Sequence, residues 1–257
     1  MTVKEILDYI NSFSPLNFAE SFDNVGLLVG DENTKIRGIC CALDITNEVV
    51  DEAVEAGANL IIAHHPVIFD PLKRIPAWSP VARLIQNDIC AVCIHTNFDM
   101  TEGGVNDSLL ELLGFKSSAV LEPVHQNGLG FGAVCDLELA FTAKALAEHC
   151  KKSLDLESVR FTRGGGIIRR VAVCCGSGIN GKVMQLAREA GCDAIISGDI
   201  KHNFWIEAGN CGISLVDAGH FGTEKQAPHR IAALVTRFFS EVPVFTASCE
   251  TDPCDYV

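Results

Sequence analysis

The chain has 257 residues, of which 48% are hydrophobic and 21% charged; this is a soluble globular composition long enough for two compact units, and it excludes collagen-like, disordered and coiled-coil chains. Twenty Lys and Arg against 33 Asp and Glu leave a formal charge of −13, so the clustered cations that grip phosphate backbones are missing and direct nucleic-acid binding is not expected. No apolar run approaches the roughly 20 residues that span a bilayer, which argues against a membrane role.

The start, Met1 to Asp8, carries acids where a secretory signal has a basic and then an apolar stretch, so a cytoplasmic protein is expected. Its Thr2 and Glu5 have the spacing of a capping box opening a helix over 3–13. Next comes one half of an internal repeat. Residues 40–62 match 174–196 at an offset of 134, with ten of 23 positions identical, among them Cys40/Cys174, Val49/Val183, Gly57/Gly191 and Ile62/Ile196. Each copy reads as strand, turn, helix with apolar spacing of three and four, glycine at the helix end, and second strand, which is a β-α-β unit in a parallel sheet.

A helix over 80–87 and a strand over 89–95 extend the first copy. The latter contains Cys90 and Cys93, but residues three apart in a strand face opposite sides, so the two thiols cannot share one ion. The twelve cysteines read as small buried hydrophobes in a reducing compartment rather than a disulfide framework. Residues 122–128 form the join. Helices over 142–152 and 224–239, a strand over 213–217, and antiparallel edges around 130–139 and 159–171 complete an α/β fold of two similar layers, 1–124 and 125–257, with mostly parallel sheets related by duplication.

Ligands of open parallel sheets sit beyond the carboxyl ends of the strands. Three such ends carry His64 and His65, then His95 and Asp99, then Asp217, His220 and Glu224. One such histidine is ordinarily a hydrogen-bonded residue. Imidazoles and carboxylates without thiolate at three ends form instead a mixed nitrogen and oxygen set suited to Zn, Mn, Fe, Co or Ni. Adjacent His64 and His65 at a strand end turning into Pro66 suggest two ions, with open positions for water or substrate. Thr223 to Gln226 resembles a second capping box, which would put Glu224 in the first turn of the next helix, near His220.

A further candidate is the turn Gly176-Ser-Gly178-Ile-Asn-Gly181-Lys182, which has G-x-G-x-x-G spacing after a strand but has Val183 where a Walker sequence needs Ser or Thr. Its glycine nitrogens and Lys182 suit an anion or a nucleotide phosphate; a plain glycine-rich turn is the simpler alternative. A nicotinamide enzyme, with Asp193 or Asp199 as the ribose acid, leaves the histidine cluster unexplained.

Glu20 to Gly30, Ala63 to Pro66, His95 to Asp99, Gly103 to Asp107, Gly198 to His202, Asp217 to Glu224 and the closing Glu250 to Pro253 together resemble the motifs of the Nif-three-like family, also described as GTP cyclohydrolase I type 2. A departure is Phe22, where that family commonly has Trp. The resemblance implies two α/β domains forming one functional unit with the metal site between them, a ring-like homohexamer, and two divalent metal ions per subunit on residues that match His64, His65, Asp99, His220 and Glu224. His95 is then the candidate proton shuttle or orienting group. The function implied is metal-dependent hydrolysis of a small molecule, a nucleotide or phosphoester; the alternative is a non-catalytic metal-binding or regulatory protein.

Overall fold

A computed structural model describes residues 1–125, 128–163 and 165–257. Positions 126 and 127 of the expected join, and 164 within the expected edge, lie outside the described residues. Along the chain run α1 (Val3–Phe13), β1 (Gly26–Val29), β2 (Ile39–Ala42), α2 (Asn47–Glu55), β3 (Leu60–Ala63), α3 (Pro80–Gln86), β4 (Cys90–Cys93), α4 (Thr96–Asp99) and α5 (Val105–Leu113). These are followed by β5 (Ser117–Pro123), β6 (Gly130–Phe141), α6 (Ala143–Ser153), β7 (Arg160–Phe161), β8 (Ile168–Val173), α7 (Gly181–Glu189), β9 (Ala194–Ser197) and α8 (His202–Cys211). The last elements are β10 (Ser214–Asp217), α9 (His220–Glu224), α10 (Ala227–Phe238) and β11 (Val244–Thr246). No helix among the described residues is long and apolar enough to cross a membrane.

The fold is α/β, and the chain forms two compact units. The first, Met1–Thr101 with Ala227–Thr251, holds a five-stranded sheet in the order β1-β4-β3-β2-β11. Strands β11, β2, β3 and β4 are parallel, and β1 closes the far edge antiparallel to β4. Every residue of β2, β3 and β4 is buried, as expected of parallel strands covered on both faces. Cys90 and Cys93 are therefore core residues.

The second unit, Glu102–Gln226 with Asp252–Val257, holds six strands in the order β5-β6-β8-β9-β10-β7. Its parallel centre is β8-β9-β10. Of the antiparallel edges expected around 130–139 and 159–171, β7 is one, antiparallel to β10, whereas β6 is interior, antiparallel to both β5 and β8, and β5 forms the other edge.

The repeat is visible in detail. Helices α2 and α7 are capped by residues at equivalent positions: Thr46 Oγ1 accepts from the Val49 amide and Asn180 Oδ1 from the Val183 amide, at 3.2 and 3.0 Å. Both helices end at a glycine in the left-handed region, Gly57 at φ +73° and Gly191 at φ +71°, where a side chain would be strained. Each buries the same face, Val49, Val50 and Ala53 in one and Val183, Met184 and Ala187 in the other. Full burial of one such aliphatic side chain is worth about 1.5–3 kcal/mol, so the two helices are held to their sheets by equivalent contacts.

One expectation changes. Thr223 to Gln226 does not cap a helix over 224–239. Glu224 closes the separate short helix α9, and α10 begins at Ala227. The reason is that Thr223 itself lies inside α9, where its hydroxyl donates back to the carbonyls of Gly219 and His220 at 2.9 Å, rather than standing at the extended N-cap position that a capping box needs.

Candidate metal centre

In the first unit the donors sit just past the carboxyl ends of β3 and β4. The His64 and His65 amides continue the ladder, donating to the Ala42 and Leu43 carbonyls at 3.1 and 2.8 Å. Alternation would send the two rings to opposite faces, yet beyond the strand end their centroids are 5.0 Å apart. His95 joins them, with centroids 5.2 and 5.5 Å from those of His64 and His65. Each of the three offers a ligand atom within 4.8 Å of the others. His64 is wholly buried, and its Nε2 lies 3.5 Å from Asp99 Oδ1.

The second nitrogen of each ring is anchored. His64 Nδ1 donates to the Ile94 carbonyl at 3.0 Å, His65 Nδ1 to Asp44 Oδ1 at 2.8 Å, and His95 Nδ1 to Asp23 Oδ1 at 2.9 Å. A carbonyl or an ionised carboxylate accepts only, so each ring carries its proton on Nδ1 and presents Nε2 as a lone-pair donor.

The turn after β4 is equally constrained. Asp23 Oδ2 accepts from the Thr96 amide and hydroxyl at 3.0 and 2.5 Å, and Asn97 donates to the Ser14 carbonyl at 3.0 Å. Burial alone would raise the Asp23 pKa, but the hydrogen bonds from His95 and Thr96 outweigh it and bring the carboxyl down to about 2. Relative to the ordinary 3.8, this depressed value stabilises the fold by roughly 2 kcal/mol at neutral pH, a contribution complete above about pH 4 and lost as pH falls through 2. Asp23→Asn is therefore expected to lower stability by roughly 2 kcal/mol at pH 6 and by about half as much near pH 3, read from urea unfolding midpoints. A penalty independent of pH would contradict this.

In the second unit the turns after β8, β9 and β10 are laced together. The Gly198 amide and the Ser197 hydroxyl both donate to the Gly176 carbonyl, at 2.8 and 3.0 Å, and the Gly176 amide donates to Thr223 Oγ1 at 3.0 Å. His220 Nδ1 is 2.9 Å from Asp199 Oδ2, and its Nε2 is 3.0 Å from Oε2 of the buried Glu224. Asp199 reaches His220 from the left-handed region, at φ +49°, a position that an aspartate tolerates better than most residues. Two ligand atoms bonded to one cation at 2.0–2.1 Å with tetrahedral angles lie about 3.3 Å apart; the His64–Asp99 and His220–Glu224 separations bracket that value. The donor chemistry fits a divalent cation of borderline character.

The glycine-rich turn has its own explanation. A Cβ on Gly176, at φ +52°, would run into Glu224 Oε1, with His220 Nε2 at 3.1 Å. On Gly178 it would meet Cys174 Cβ at 2.6 Å, whereas at Gly181 nothing lies within 4 Å. The Lys182 ammonium is 2.5 Å from Glu122 Oε1. Asp193 and Asp199, the possible ribose acids, accept from the Arg169 amide and pair with His220 respectively. Asp23, Asp44 and Asp199 were not evident as histidine partners from the sequence, although Asp44 and Asp199 follow strands as directly as the donors do. The exposed Phe22 ring lies 6.3 Å from that of Phe69.

A model of the Duf34/NIF3 (NGG1p interacting factor 3) family matches residues 1–253. A Clostridium acetobutylicum protein named GTP cyclohydrolase 1 type 2 homolog is 36% identical over 231 residues, covering 87% of this chain and 85% of its own. One of the same name from Clostridium perfringens is 34% identical over 265 residues, covering both chains fully. The crystal structure of a Bacillus cereus protein related to NIF3 superimposes with a TM-score of 0.93 at 26% identity, covering 100% of this chain and 99% of the other. By sequence and by fold alike, this chain belongs to the Duf34/NIF3 family.

Proposed function

We propose that the protein is a metal-dependent hydrolase of a nucleotide or phosphoester, with two divalent cations per chain held by His64, His65, Asp99, His220 and Glu224. One observation carries this reading: all four imidazoles, His95 included, have Nδ1 fixed by an oxygen acceptor, and Nε2 of His64 and of His220 faces a carboxylate at 3.5 and 3.0 Å, the arrangement that ligating histidines adopt. When bound, such cations supply Lewis acidity and acidify nearby water.

The protein's own residues do the rest. Asp44 and Asp199 hold His65 and His220 in orientation, and ionised Asp23 keeps the His95 proton on Nδ1, so that His95 Nε2 can accept a proton and return it. The relatives' name makes GTP the first substrate to screen. Burial pushes the Cys40, Cys135 and Cys150 thiols up to about 12, which makes these three inert core groups rather than nucleophiles. We also propose a ring-like homohexamer, to be tested by sedimentation equilibrium as six times the chain mass.

The test is a screen of nucleotides and phosphoesters with metal-loaded protein. Turnover that needs the metal and falls at least a hundredfold in Glu224→Ala, about the effect of losing a key charge-stabilising group, supports hydrolysis. Full metal loading with no turnover across the screen overturns it in favour of a binding or regulatory protein.

A further inference from the structure

We propose that Glu250 is a positioning residue for this donor set, its carboxylate fixing the backbone from which Asp44 reaches His65; the proposal rests on the metal reading above. The chain returns to the first sheet as β11, parallel to β2, with the Ala247 amide donating to the Cys41 carbonyl at 2.9 Å. Two carboxylates then secure the segment in different ways. Glu52, on α2, accepts from the Ser248 amide and hydroxyl and the Cys249 amide at 2.8–3.1 Å. It holds the returning segment.

Glu250 does the reverse. Its Oε1 accepts from the Leu43 and Asp44 amides at 2.8 and 2.9 Å, and its Oε2 from Leu43 at 3.0 Å. These amides lie just past the end of β2. The Leu43 carbonyl receives the His65 amide at 2.8 Å, and Asp44 Oδ1 meets His65 Nδ1 at 2.8 Å. Main chain and side chain of one dipeptide thus both contact His65, and Glu250 holds both amides of that dipeptide. The Asp44 side chain is 53% exposed, and an exposed carboxylate on an unpinned turn loses its aim to rotamer freedom. With the segment already tied by Glu52, Glu250 is not needed as a second tie. The repeat agrees, because Gly178 occupies the position of Asp44 in the second copy, where no carboxylate is aimed at a histidine from that turn.

The experiment uses the full chain, first metal-free with ¹⁵N-labelled histidine and then titrated with Zn²⁺ against a competing chelator. Wild type is expected to show His65 protonated on Nδ1. Glu250→Ala is expected to give a mixture of tautomers and about tenfold weaker Zn²⁺ binding, the lower end of the 10–100-fold cost of losing an orienting partner. Glu250→Gln keeps an oxygen that reaches both amides and should stay within about threefold of wild type. Glu52→Ala should leave tautomer and affinity unchanged. If Glu250→Ala fails to fold, Glu250→Asp, a methylene too short to reach both amides, gives the same comparison. A wild-type tautomer and affinity in the Glu250 variants, or an equal loss in Glu52→Ala, overturns the proposal. Failure of wild type to bind Zn²⁺ instead sinks the metal reading, and the tautomers still decide the role of Glu250.

Discussion

Gly176→Ala is expected to cost the protein its metal affinity before it costs the fold. At φ +52° an alanine is strained by about 1–2 kcal/mol, a loss that a domain of ordinary stability survives. The steric effect is local and specific: the new methyl group falls on Glu224 Oε1, with Cδ at 2.9 Å and His220 Nε2 at 3.1 Å. Glu224 is 3% exposed, so its carboxylate has little room to yield except by leaving His220. Divalent-metal affinity, measured by chelator competition, should drop at least tenfold, since the cost of losing an orienting partner is 10–100-fold and here a donor itself is displaced. Unchanged affinity would mean that Glu224 is not a ligand.

Phe98→Ala should have the largest effect on stability. Phe98 is fully buried between Asn97 and Asp99, with its ring edge-on to Phe13 of α1 at 6.4 Å. Truncating such a side chain costs about 3–5 kcal/mol in lost transfer energy and an unfilled cavity. The same ring seats the turn in which the Phe98 and Asp99 amides donate to the His95 carbonyl at 2.8 and 3.1 Å. A lower urea midpoint is therefore expected together with weaker metal binding, and Phe98→Leu should recover most of both. A loss below about 1 kcal/mol would show that the ring is not a core element.

Much of this was legible in the sequence because the repeat spells it out. The glycines after α2 and α7 and the uninterrupted apolar strands are local signals, and each produced the element expected. The return of β11 to the edge of the first sheet was not, because three half-buried residues, Val244 to Thr246, carry no periodicity that names a partner strand. The donor-bearing strand ends stood out because histidine is rare there. Their orienting acids did not, since an aspartate after a strand looks like any turn residue until its neighbours are known. The duplication hides the division of labour as well: at the offset of 134, His64 and His65 of one copy become Gly198 and Asp199 of the other. A histidine pair in one half thus corresponds to a glycine and a histidine-bound acid in the second, and identity alone cannot convey that change.

The most direct test of the metal centre is elemental analysis of protein purified without chelators, for wild type and for His65→Ala, His220→Ala and the two combined. We predict two divalent ions per chain in wild type and a reduced count in each single variant, with the double variant nearly empty. Wild type free of metal, or the same count in all four proteins, would contradict the account.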